Sequence, residues 1–256
     1  MVENTTTTAG GTTLDRTLQA IREVEGWLSD AQARRLWEAA KQVPPRGQIV
    51  EIGSFQGRST IVLASAGLQT APVIAIDPHA GNDRGPGEWD GLPETGQRDY
   101  LAFHDNLGSR GLSERVRHVR KASHAAHADL LGEIDLLFVD GSHRYRNALD
   151  DLRDWGGRVR EGGTMFVHDT YGSLFVTAAI FRAIVFSGGW RYIGRQGTLA
   201  EYRRQNVEGS ERMVNVSRQL VEIPWLCRNL AIKVLRAIHL ERASVVLGHR
   251  QGDDIC

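Results

Sequence analysis

The run Ile49-Val50-Glu51-Ile52-Gly53-Ser54-Phe55-Gln56-Gly57-Arg58-Ser59-Thr60 decides the fold. An apolar stretch meets glycines and opens into a helix, as strands do where a parallel α/β protein builds a nucleotide cleft. A dinucleotide fingerprint, Gly-x-Gly-x-x-Gly, needs its middle glycine so that the backbone can approach a pyrophosphate. Phe55 holds that position here, and only Gly53 and Gly57 remain. Glu51, at the strand end, adds a negative charge where a phosphate would be repelled. No Gly-Lys-Ser/Thr follows, which excludes a phosphate-cradling P-loop. The predicted pocket suits an adenosine-like but cationic ligand.

Outward from this stretch, Leu14, Leu18, Ile21 and Val24 recur at helical spacing. Ser29 and Gln32 form a capping-box start for a second helix carrying Leu36, Trp37, Ala40 and Val43, which Pro44-Pro45 ends. Strand one covers residues 49–52, a helix 57–66, and strand two Val73 to Ile76. Pro78 to Gly96, rich in Gly, Pro and Asp around Trp89, reads as a lid or substrate loop. A helix over Arg98 to Leu107, a short strand over Val116 to Val119 and a helix over Ala125 to Leu131 follow. The strongest strand is Ile134 to Val139, ending at Asp140-Gly141-Ser142-His143. Tyr145 to Trp155 is helical, Gly162-Gly163 a turn, and Thr164 to Val167 a strand ending at His168-Asp169.

This alternation predicts an α/β fold: a Rossmann-like parallel sheet with helices on both faces and extra helices at each end. Four strand ends then carry Glu51, Asp77, Asp140 and His168-Asp169 at the carboxyl edge, where such folds bind ligands. Asp77 follows Gly57 by twenty positions (77 minus 57), about where an acidic residue accepts hydrogen bonds from ribose hydroxyls.

The 256 residues suit one decorated domain, with residues 1–13 a flexible tail, 14–204 the main domain with its N-terminal helices and 205–256 a helical extension. The 31 basic and 31 acidic residues balance, so no affinity for nucleic acid or anionic membrane is expected. Cys227 and Cys256 lack metal-ligand spacing, and no apolar run approaches a membrane span. A cytoplasmic protein is the expectation. Pro224 introduces Trp225, Leu226, Leu230, Val234, Leu235 and Ile238, interleaved with Arg228, Lys233, Arg236 and Arg242. This basic amphipathic pattern suits packing on the domain or on a second copy in a homodimer, with a membrane surface as the alternative.

Val50-Glu51-Ile52-Gly53-Ser54, Ile76-Asp77-Pro78, Asp140-Gly141-Ser142-His143-Arg144-Tyr145, Gly162-Gly163 and His168-Asp169 stand in an order and spacing that resemble the class I S-adenosylmethionine-dependent O-methyltransferases. The resemblance runs over about residues 26–204. Within that class the chain most resembles the sugar O-methyltransferases of bacterial methylmannose polysaccharide synthesis, which cap the 1-hydroxyl of a methylated mannoside. The resemblance implies S-adenosylmethionine as cofactor. Glu51, Gly53, Ser54, Gly57 and Ser59 would lie along or beneath its methionine part, Asp77 at the ribose, Ser123 near the adenine, and Asp140 beside the donor. It also implies a divalent cation, magnesium foremost, on Asp140, His168 and Asp169, and a saccharide acceptor.

A sugar hydroxyl is a poor acid, so methyl transfer calls for a base such as His143, whose neutral imidazole titrates near working pH. His143 could equally cap the helix that follows, and Asp140 and Asp169 could be helix N-caps. Two other classes stay open: a metal-dependent hydrolase using the His and Asp cluster, and a non-catalytic nucleoside-binding module. An acidic natural product is the alternative acceptor.

Overall fold

The computed structural model describes residues 13–66, 71–81, 91–240, 245, 247 and 248. Residues 1–12 of the expected tail, residues 82–90 of the lid segment with Trp89 among them, Cys256 and the end of the extension lie outside these residues.

Two helices come first, α1 (Leu14–Ile21) and α2 (Asp30–Lys41). Ser29 and Gln32 close the capping box on α2 reciprocally, satisfying amides that the first turn leaves unpaired. The sheet then begins with β1 (Ile49–Ile52), α3 (Arg58–Ala66), β2 (Val73–Ile76), α4 (Pro93–Gly108) and β3 (Val116–Val119). Its second half holds β4 (Ile134–Val139), α5 (Tyr145–Asp150), β5 (Val159–Val167), α6 (Leu174–Ile180), β6 (Trp190–Gln196) and β7 (Leu199–Arg204). Two helices follow, α7 (Gly209–Leu220) and α8 (Ile223–Ala237).

The strand order is β3-β2-β1-β4-β5-β7-β6. Strands β1 to β5 pair in parallel, while β7 runs antiparallel to both β5 and β6. The order reverses between β1 and β4, and the crevice outside their carboxyl ends is where such a sheet takes a ligand. The sheet is therefore mixed, with β7 the one reversed strand in an otherwise parallel array.

Alternation along the strands sorts the core into two layers. Ile49, Val73, Leu136, Phe138 and Phe166 pack with Leu36, Ile61 and Phe103 on one face. Val50, Ile52, Leu137, Val139 and Met165 pack with Leu152, Trp155 and Ile180 on the other. Period-two alternation in a strand buried on both sides requires this division.

Four expectations about elements change. Helix α4 begins at Pro93, five residues before Arg98, because proline is accommodated in a first turn that lacks amide acceptors. The helix expected over Ala125 to Leu131 is two single 3-10 turns, Ser123–Ala125 and His127–Asp129. These turns already bury Ala126 and Leu130, and Gly132, at φ +85°, leads the chain away. Gly162-Gly163 lies inside β5, where residues 160–163 bulge out between the pairs Ile134–Val159 and Leu136–Thr164. Helix α5 passes into a π turn, Asp151–Trp155, so the expected helix to Trp155 is present with a changed winding.

Candidate functional site

One cleft, of about 1130 Å³, opens at the carboxyl edge. This exceeds the roughly 300–1,000 Å³ usual for one small ligand, leaving room for a donor and an acceptor together. Backbone hydrogen bonds fuse the strand ends beneath it: Gly53 N donates to Ile76 O at 2.9 Å, Asp140 N to Ile52 O at 2.8 Å, and His168 N to Val139 O at 2.9 Å. At Gly53, φ is +82° and an added Cβ would stand 2.1 Å from the Asp140 carbonyl oxygen. Only glycine satisfies both conditions.

Asp77 organises the loop after β1. Its Oδ2 accepts from the amides of Ser54 and Phe55, both at 2.9 Å, and its Oδ1 from the amide of His79 at 2.7 Å. Phe55 and His79 both adopt left-handed backbone, at φ 46°, and His79 Nε2 lies 2.8 Å from Phe55 O. A carboxylate with three backbone donors holds two strained turns in register. Asp77, Gly53, Ser54 and Ser59 line the cleft, and the buried Ser54 hydroxyl has no partner among the described residues. Trp27 reaches over this loop from the N-terminal segment, its ring centroid 5.4 Å from that of Phe55.

Glu51 departs from its expected place. It shares strand parity with Ile49, so its side chain points under α3, where it is fully buried and accepts from the Ser59 and Thr60 hydroxyls. Burial pushes the carboxyl up to about 8 against those hydrogen bonds, which leaves it neutral at pH 7. It therefore presents no negative charge to the cleft. Gly57, at φ +91° with an imagined Cβ 3.2 Å from Phe103, makes the turn into α3 and does not line the cleft.

Ser123, in the turn after β3, lines the cleft beside Asp151, to whose carboxylate its hydroxyl donates. Burial pushes Asp151 up to about 6, opposed by that hydrogen bond. Asp151 starts the π turn, and its inward aim depends on that irregular winding, for which the sequence carries no plain signal.

On the other side of β1, after β4 and β5, stand the ionisable groups. His143 Nε2 is 2.7 Å from Asp169 Oδ2, and His168 Nδ1 lies 3.2 Å from Asp140 Oδ1 and 3.4 Å from Asp169 Oδ2. Burial works against the His168 imidazolium, yet the charges of Asp140 and Asp169 raise it well above its ordinary value. His143 is raised in the same way, burial being outweighed by the hydrogen bond and charge of Asp169. Burial likewise disfavours the Asp169 carboxylate, but the His168 charge and the bonds from both imidazoles hold it far below the usual range. Asp169 itself sits at φ 54°, a left-handed turn that swings its carboxylate back into the cleft.

Asp140, His143 and Asp169 each offer one ligand atom, all within 4.8 Å of one another. His168, expected as a ligand, stands instead behind the two carboxylates as a buried bridge, and His143 takes its place in the convergent set. The buried Asp169 Oδ1 has no hydrogen-bond partner among the described residues. Two carboxylates with one imidazole suit magnesium, manganese or another divalent ion.

Residues 50–170 match a family model described as "Methyltransferase domain". That segment runs from β1 through the loop after β5 and carries every expected site residue. The chain is similar in structure to cofactor-bound Rv0187 from MTB at 19% identity, over 76% of this chain and 90% of that one, with a TM-score of 0.55. It is similar also to the O-methyltransferase TomG from Streptomyces achromogenes, involved in tomaymycin synthesis and solved with SAM, at 19% identity, 75% and 89% coverage and a TM-score of 0.52. A third likeness is to the O-methyltransferase from Bacillus cereus solved with SAH, at 14% identity, 74% and 88% coverage and a TM-score of 0.51. The sheet order and these likenesses define the class I methyltransferase fold, and residues 50–170 are what the methyltransferase-domain model matches.

Proposed function

We propose that this protein is an S-adenosylmethionine-dependent O-methyltransferase acting on a hydroxyl of a small acceptor. One observation carries the reading: the Asp77-braced glycine loop and the His143–Asp169–Asp140 cluster open into the same cleft. S-adenosylmethionine, when bound, supplies a sulfonium whose methyl carbon is open to in-line displacement. Gly53 and Ser54 would border its methionine part, Asp77 the ribose and Ser123 the adenine.

His143 is the base we assign: its Nε2–H donates to Asp169, which orients the imidazole and stabilises its charged form, and the other ring nitrogen, Nδ1, takes the acceptor proton. Asp140 and Asp169, with or without His143, would hold a divalent ion, which lowers the pKa of an acceptor hydroxyl that binds it. The unpartnered Asp169 Oδ1 favours that fit. An imidazole that gave Nε2 to the ion would lose the Nε2–H bond to Asp169 that supports the base, so base and ligand are competing roles for His143.

A saccharide, sharpened to the 1-hydroxyl of a methylated mannoside, is the acceptor that the sequence resemblance supports. TomG, named for tomaymycin synthesis, supports a natural product as the second reading. Residues 14–204 make up the donor-binding domain in this reading, and 205–256 an extension that reaches the acceptor side.

Calorimetric titration with S-adenosylhomocysteine tests the donor site, and product mass analysis over a sugar and phenol panel tests the reaction. Micromolar binding lost in Asp77→Ala supports the reading; absent binding by the intact protein sinks it.

A further inference from the structure

The far wall of the cleft comes from α8. Asn229 Nδ2 donates to Tyr171 O at 2.9 Å, two residues beyond Asp169, and Tyr171 Oη donates to Gln219 O of α7 at 3.1 Å. These bonds set α8 beside the loop after β5, on the His143–Asp169 side of the cleft and away from the Asp77 end. Lys233 and Arg236 follow Asn229 by four and seven positions, which puts all three on one helical stripe. Lys233 and Arg236 both line the cleft, as do the half-exposed apolar side chains of Leu174 and Phe175.

Two arginines that precede α8 are paired with carboxylates. Arg191 pairs with Glu211 at 2.6 Å and Arg195 with Glu222 at 2.8 Å. Among the described residues, Lys233 and Arg236 have no carboxylate or other side-chain partner. The cleft's own carboxylates nearby, Asp140 and Asp169, are engaged by His143 and His168. Two uncompensated cations on one stripe, facing a cleft that also offers apolar surface, form a receptor for an anion attached to a partly apolar body.

We propose that Lys233 and Arg236 of α8 select an acceptor bearing an anionic group, a carboxylate or a phosphate, and hold its hydroxyl toward His143. This deepens the O-methyltransferase reading and rests on it. A neutral acceptor would leave both cations unused, whereas an acidic one gains charge-assisted hydrogen bonds at a partly desolvated site.

The test is equilibrium binding to the full chain saturated with S-adenosylhomocysteine, using matched probes: 3,4-dihydroxybenzoate against catechol, and mannose 6-phosphate against mannose. The anionic member of at least one pair is expected to bind about tenfold or more tightly than its neutral partner. Which pair responds separates carboxylate from phosphate recognition. In Lys233→Met/Arg236→Gln the preference should fall to about twofold or less, with S-adenosylhomocysteine affinity unchanged as the control for folding. Equal or absent binding of both anionic members, or a preference that survives the double substitution, overturns the proposal. Failure of the intact protein to bind S-adenosylhomocysteine overturns the methyltransferase reading instead.

Discussion

His143 Nε2 and Asp169 Oδ2 meet at 2.7 Å across the cleft, one from the loop after β4 and the other from the loop after β5. The imidazole is part exposed, whereas the carboxylate is almost wholly buried, so the anion that raises the histidine is held by the fold and not by solvent. If His143 removes the acceptor proton, His143→Ala cuts turnover by about 10²–10⁴-fold while leaving S-adenosylhomocysteine affinity intact. Paired rate and calorimetric measurements check this.

The same contact fixes a pH dependence. His143 must be neutral to accept a proton, and Asp169 raises it above its ordinary 6.5. The rate should therefore climb with pH through a midpoint above that value. Asp169→Asn removes the anion, so its midpoint should move down even as its rate falls. A profile whose midpoint stays fixed in the variant would assign the limb to another group.

Metal binding has a readout independent of turnover. Manganese titrated into the protein is expected to bind and to be displaced by magnesium. Asp140→Asn/Asp169→Asn should lose it, because two of the three convergent ligands lose their charge. Electron paramagnetic resonance of free manganese measures the bound fraction directly.

Glu51 predicts how stability responds to pH. Its folded carboxyl is raised from 4.5 to about 8, so between those values the native state holds a proton that the unfolded chain releases. Stability from this group is fully present below the unfolded value and is lost as pH rises through the folded one. Asp151, raised to about 6, acts with the same sign over a narrower window. Denaturant midpoints should decline from pH 5 to pH 8, and Glu51→Gln should flatten that decline.

Gly53→Ala tests the fused strand ends. A methyl group 2.1 Å from the Asp140 carbonyl oxygen, at a φ of +82°, forces β1 and β4 apart. A loss of about 2–4 kcal/mol is expected from the clash and backbone strain together, together with weakened S-adenosylhomocysteine binding. Urea unfolding and calorimetry on one preparation would separate the two effects.

Much of the fold is legible in local patterns. The Ser29 and Gln32 capping box, the apolar run Ile134–Val139, and the acids after each strand depend on neighbours close in sequence. The hairpin β6–β7 gives no such signal: Trp190–Gln196 carries Arg191, Arg195 and Gln196, and the hairpin joins the sheet through the pairing of β7 with the distant β5. Glu51 was open to a parity argument, since residues 49 and 51 share a face of β1, but its position at a strand end suggests the cleft. That His143, and not His168, converges with Asp140 and Asp169 was not legible, since it depends on two loops far apart in sequence and on a left-handed turn at Asp169 that residue type does not announce.

The contact between Asn229 and Tyr171 also bears on how the enzyme comes into being. Every strand, the Asp77 brace and the His143 cluster precede α8 in the chain. During synthesis the half of the cleft that would grip the donor can fold while the opposite wall is still inside the ribosome. Chains arrested before α8 emerges would hold the donor in an open trough, so donor affinity and acceptor discrimination would be acquired in that order.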